Sequence, residues 1–120
     1  LLPEKKSSPE WQHYTEAAYA SALSSNRPMI IDFYADWCIP CKELDAMTFS
    51  DSRVISESKR FGTYKVDMTK SSEETEIIRN KFKIVGMPTV LMINSKGEEI
   101  QRITGFENAD KFYEMMKKVD

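Results

Sequence analysis

Cysteine and histidine are nearly missing from this chain, with two cysteines and one histidine among 120 residues. The cysteines enclose only Ile39 and Pro40, so they do not make a disulfide scaffold, which gains most from closing long loops. With His13 far off in sequence, they also fall short of the four ligands of a structural zinc site. No apolar run approaches the ~20 residues needed to cross a bilayer. An excess of positive charge is missing too. Seventeen Lys and Arg stand against 19 Asp and Glu, with a net charge of −2 and a pI near 5.5. That balance leaves no footprint for nucleic acid. The opening Leu1-Leu2-Pro3-Glu4-Lys5-Lys6 has no initiator Met and is not an intact signal peptide. It fits an expression boundary, a mature exported protein or a domain cut from a longer chain.

What is present suits a folded globular chain, 41% hydrophobic and 30% charged. The length predicts one domain, able to bury a core without staples. Residues 1–8 read as a flexible arm and 9–120 as a single domain, expected to be a monomer. Seven scattered methionines read as core filler rather than soft-metal ligands.

The informative stretch is residues 28–44. A β-prone run (Met29, Ile30, Ile31, Phe33, Tyr34) stops at Ala35-Asp36. Trp37 follows, then Cys38-Ile39-Pro40-Cys41. Leu44 and Thr48 lie three and seven positions after Cys41 and share a helical face with it. The pattern predicts a strand, a short loop, and two cysteines at a helix start. Alternation along the strand puts Asp32, Tyr34 and Asp36 on one face and Ile31 and Phe33 on the other. An Asp so flanked is expected to be partly buried, which raises a carboxyl pKa and suits a proton acceptor.

Elsewhere the chain alternates helix and strand. A first helix is predicted from Ser8 or Pro9 to about Ser24, burying Trp11, Tyr14, Ala18 and Ala22 as one stripe. A strand over 29–35 and the helix from Cys38 to about Met47 follow. Ser50 or Asp51 caps a helix over about 52–60, and 61–67 reads as a strand. Ser71-Ser72-Glu73-Glu74 fits a capping box, Ser with Glu three on, opening a helix with Ile77, Ile78 and Phe82 inward. Gly86 and Pro88 exclude helix over 84–88. Strands over 89–93 and 98–104 pair as a hairpin around Asn94-Ser95-Lys96-Gly97. Asn108 caps a last helix carrying Phe112, Met115, Met116 and Val119. The order α, β, α, α, β, α, β, β, α predicts an α/β fold, a mixed central sheet with helices on both faces.

The segment Ile31–Lys42 resembles the active-site segment of the thioredoxin family, and Val85-Gly86-Met87-Pro88-Thr89 resembles that family's cis-proline loop. Tyr34-Ala-Asp-Trp-Cys38, Cys41-Lys-Glu-Leu-Asp45 and Thr48-Phe-Ser-Asp51 together are similar to the C-terminal periplasmic domain of DsbD-type thiol:disulfide interchange proteins. The resemblance implies a thioredoxin fold and a protein-disulfide reductase. It implies no cofactor or metal beyond a redox-active Cys38–Cys41 pair. Protein thiols and disulfides would be the partners, among them a membrane electron donor domain and a periplasmic acceptor. The setting would be periplasmic or otherwise extracytoplasmic. Two departures stand out. The dipeptide between the cysteines is Ile-Pro, and Thr63 stands where thioredoxin has a lysine close to its buried carboxylate.

Thiolate, not thiol, attacks a disulfide. Cys38 at a helix N-terminus meets unpaired N–H groups and the positive dipole end, which predicts a pKa below the free value of ~8.5. Cys41, one turn in, is expected to be the less exposed and to resolve the mixed disulfide. The resemblance gives Asp32 the proton-acceptor role and matches Asp45 to a second acidic position, whose charge opposes thiolate formation. It places Met87 and Pro88 against the cysteines to pair with an extended substrate. Trp37, Ile39 and Pro40 complete the contact surface. A general cytoplasmic thioredoxin and a metal-binding module using Cys38 and Cys41 are the alternative functions.

Overall fold

The computed structural model describes residues 7–120, so most of the arm expected over residues 1–8 lies outside the described residues. In chain order the elements are β1 (Gln12–His13), α1 (Glu16–Ser24), β2 (Met29–Tyr34), α2 (Ile39–Glu43), a π-helical turn (Leu44–Thr48) and α3 (Ser52–Ser58). Then come β3 (Gly62–Asp67), α4 (Glu73–Phe82), β4 (Thr89–Ile93), β5 (Glu99–Thr104) and α5 (Ala109–Lys117). The strands form one sheet in the order β1-β3-β2-β4-β5. β2 runs parallel to β3 and antiparallel to β4, β1 runs parallel to β3, and β5 closes the sheet antiparallel to β4.

Alternation along β2 feeds two cores. Met29, Ile31 and Phe33 join Tyr64, Val66, Leu91 and Ile93 beneath Ala22 of α1 and Ile78 and Phe82 of α4. Ile30 joins Val90, Met92 and Ile103 on the opposite face, against Leu44, Phe49, Val54, Phe112 and Met116. Helices therefore cover both faces, as the predicted order requires.

The N-terminal helix is shorter than predicted. It begins at Glu16, where the Thr15 side chain accepts the Ala18 N–H, and an extra strand, β1, precedes it. The reason lies in the rings. Tyr14 packs into one core and Trp11 into the other. One helical stripe cannot reach both faces of a sheet, whereas an extended edge segment can. The Tyr14 N–H donates to the Lys65 carbonyl at 3.0 Å, extending the pairing with β3.

Three smaller predictions also shift. The capping box of α4 is Ser72 with Thr75: the Ser72 hydroxyl accepts the Thr75 N–H and the Thr75 hydroxyl accepts the Ser72 N–H. Ile77 is 58% exposed, because the helix period that turns Ile78 and Phe82 inward rotates their neighbour outward. The helix after Cys41 does not stay α. The Phe49 N–H donates to the Leu44 carbonyl at 2.8 Å, five residues back, and Leu44, Thr48 and Phe49 are all buried across that wider turn.

Candidate active site

β2 delivers the chain to the cysteine loop. The Cys38 N–H donates to the Ala35 carbonyl at 3.1 Å, closing a turn around Asp36-Trp37. Cys38 is the N-cap of α2, and its sulfur accepts the Cys41 N–H at 3.2 Å. Pro40 sits in the first turn, where a missing N–H costs no helical bond. Cys38 and Cys41 are joined as a disulfide with Cα atoms 5.3 Å apart. Cys38 is 4% exposed and Cys41 5%, so the second cysteine is not the more sheltered one. In the bonded pair both share one cover, made by Ala35, Tyr34 and Met87.

The Met87–Pro88 peptide is cis. Pro88 is buried and Met87 partly buried against the disulfide. Around this centre the surface is apolar and open. Trp37 is 61% exposed and Ile39 68%. Val85, in the loop that leads to Pro88, is 96% exposed.

Thr69, also missed from sequence, fixes the loop from the side. Its hydroxyl accepts the Asp36 N–H at 2.9 Å, and its carbonyl accepts the Trp37 indole N–H at 3.3 Å. Thr69 is itself held by Asp67, whose carboxylate accepts both its N–H and its hydroxyl. Its signal in sequence is faint, a threonine two residues past the end of a strand.

Asp32 is 2% exposed, and its Oδ1 has no hydrogen-bond partner. Burial pushes its carboxyl up to about 7; the nearby Lys65 opposes the rise and Asp45 adds to it. The Lys65 ammonium lies 3.6 Å from Asp32 Oδ2 and 2.8 Å from Asp45 Oδ1. The lysine beside the buried carboxylate is therefore present, which corrects the departure read at Thr63. Asp32 pairs across the parallel ladder with Lys65, whereas Thr63 pairs with Ile30 and donates its hydroxyl to the Glu10 carbonyl at 2.8 Å. Parallel neighbours in register share a face, and that register was the signal to use. Asp45 faces solvent on its own turn and binds the same lysine, while its charge also acts on Asp32. His13 lies on β1. Among the described residues no cluster of three or more His, Cys, Asp and Glu is placed to hold a metal ion.

A disulfide at a helix N-terminus, a cis-proline loop against it and this strand order define a known arrangement, and the thioredoxin family profile matches residues 10–118. The chain belongs to the thioredoxin family. It is 39% identical over 101 residues to the thiol:disulfide interchange protein DsbD of Pectobacterium atrosepticum, covering 82% of this chain and 18% of that protein. Against DsbD of Haemophilus influenzae (strain 86-028NP) it is 40% identical over 90 residues, covering 73% of this chain and 16% of the relative. The chain thus spans less than a fifth of these curated relatives. The C-terminal domain of Neisseria meningitidis DsbD in its reduced form superposes with a TM-score of 0.76 at 29% identity, covering 91% of this chain and all of that one. A thioredoxin from Thermus thermophilus shares the fold with a TM-score of 0.76 at 22% identity, covering 93% of this chain and 87% of its own. The Cys38–Cys41 disulfide lies within the residues that match the thioredoxin family, and a disulfide so placed is suited to thiol-disulfide exchange.

Proposed function

We propose that the domain passes reducing equivalents to protein disulfides in an extracytoplasmic space. In this reading it takes them from a membrane electron donor domain and hands them to a periplasmic acceptor. The observation that carries the reading is the Cys38–Cys41 disulfide at the first turn of α2, bordered by the cis Met87–Pro88 peptide. The likeness to DsbD over most of this chain and under a fifth of that protein's length, and to a solved DsbD C-terminal domain, supports the setting.

In the reduced form the Cys38 thiolate attacks a substrate disulfide, and one substrate sulfur leaves as a thiolate. Cys41 then gives its proton to Asp32 and attacks Cys38. The mixed disulfide breaks, the Cys38–Cys41 bond forms, and two electrons have passed to the substrate. The N–H of Cys41, aimed at the Cys38 sulfur, and the positive end of the helix dipole stabilise negative charge there. Trp37, Ile39 and Pro40 supply apolar contact, and the Met87 backbone before Pro88 pairs with an extended substrate strand.

Reduction of insulin by the dithiol protein tests the mechanism. Cys38→Ser should abolish catalysis, and Cys41→Ser should accumulate a mixed disulfide visible on a non-reducing gel. An unchanged rate in Cys38→Ser overturns it. Equilibration with glutathione tests the direction. The potential should lie nearer about −270 mV than about −120 mV, the two ends of the range for such proteins. A value at the oxidising end overturns the reductant role.

A further inference from the structure

Lys65 is shared unequally between two carboxylates of unequal cost. Asp32 on β2 is buried and lacks a partner at Oδ1. Asp45 on the π-helical turn is half exposed, with a side-chain accessibility of 51%. A single, partly buried cation would be expected to close on the buried anion, where Coulomb attraction is least screened. It does the opposite. The ammonium makes its hydrogen bond to Asp45 at 2.8 Å and stands 3.6 Å from Asp32, too far for one. The rings of Trp11 and Tyr34 flank it, with centroids 5.4 and 5.0 Å from Nζ.

We propose that Asp45 is a positioning residue that acts through Lys65, holding the ammonium off Asp32 so that the Asp32 carboxyl can take and return a proton. The proposal rests on the reading above that Asp32 accepts the Cys41 proton. The charged groups that act on Asp32 are Lys65 from β3 and Asp45 from the π-helical turn. From β4 its ladder neighbour is the apolar Val90, and Tyr34 lies two residues on along its own strand. If Lys65 moved into contact with Asp32, the carboxylate would be held as an anion and would be a poor acceptor. If Lys65 were absent, the buried carboxyl would hold its proton to higher pH and would accept none. Asp45 sets the balance between these extremes. The three groups titrate as a unit, so the test is one of coupling rather than of single substitutions.

The experiment follows the Asp32 side-chain carboxyl carbon by NMR against pH in 13C-aspartate-labelled, disulfide-bonded protein, with the signal assigned by its loss in Asp32→Asn. Asp45→Asn should lower the midpoint by about half a pH unit or more, a roughly three-fold fall in proton affinity, because Lys65 is released towards Asp32. Lys65→Met should raise it. In the Lys65→Met background, Asp45→Asn should move the midpoint far less, and Asp45→Glu alone should stay close to wild type. Lys65→Gln serves the same purpose if Lys65→Met lowers stability. Equal shifts from Asp45→Asn with and without Lys65 would overturn the proposal, since Asp45 would then act directly by charge. The measurement uses no substrate and no electron donor. A failed insulin assay with an intact coupling would therefore sink the functional reading and leave this one standing.

Discussion

The Gly105 N–H donates to the Pro88 carbonyl oxygen at 3.1 Å, tying the turn after β5 to the loop beside the disulfide. Gly105 holds φ at +97°, a conformation that side chains bearing a Cβ avoid. Space is not the constraint, because a Cβ there would meet nothing within 4 Å. Gly105→Ala should therefore cost about 1–2 kcal/mol through backbone strain alone. Urea unfolding checks this, and an unchanged midpoint would show that the turn is not held by Gly105.

Asp51 offers a contrast away from the chemistry. Its carboxylate accepts the N–H groups of Arg53 and Val54 at the start of α3. Asp51→Ala leaves both without that partner and should lower stability by ~1 kcal/mol. Insulin reduction per folded molecule should not change. A loss of activity at full folding would mean that α3 contributes to the site.

Thr69 should matter to turnover more than to stability. Its hydroxyl and carbonyl hold the Asp36 N–H and the Trp37 indole, and the bonds are exposed to water. Thr69→Val removes the hydroxyl, so the Asp36 end of the loop loses its fixed position beside Cys38. The rate of insulin reduction should fall several-fold, as is typical when a reacting group is misplaced, while the urea midpoint shifts by under about 0.5 kcal/mol. Rates equal to wild type would remove Thr69 from the positioning of the site.

The parts of this molecule legible in the sequence are those whose local pattern and tertiary role agree. β2 alternates and ends where the cysteine loop begins, Gly86 and Pro88 break the helix before β4, and Asn94-Ser95-Lys96-Gly97 marks the hairpin. The illegible parts are those decided by neighbours distant in sequence. Trp11 and Tyr14 have helical spacing, yet β3 draws their backbone to the sheet edge. Lys65 reads as an outward charge on a strand until the register sets it beside Asp32. The π-helical turn at Leu44–Thr48 obeys the same apolar spacing as an α-helix over so short a span. Nothing local distinguishes the two.

The buried carboxyl of Asp32 should leave its mark on stability as well as on catalysis. Burial raises it from an ordinary 3.8 to about 7. Between those values the folded chain keeps a proton that the unfolded chain has released, so stability must fall as pH rises through that window. Below about pH 4 both states are protonated and the site contributes no pH dependence. Above about pH 7 the folded state carries the full cost of a buried charge that Lys65 only partly offsets. Asp32→Asn removes that cost. It should match wild type near pH 4 and exceed it at pH 8 by on the order of 4 kcal/mol, while slowing release of substrate from the mixed disulfide. Urea unfolding of both proteins in the disulfide form at about pH 4, 6 and 8 measures the difference. A gain that stays constant across the three would mean that Asp32 does not titrate in this range, and the proton that Cys41 must lose would need another acceptor.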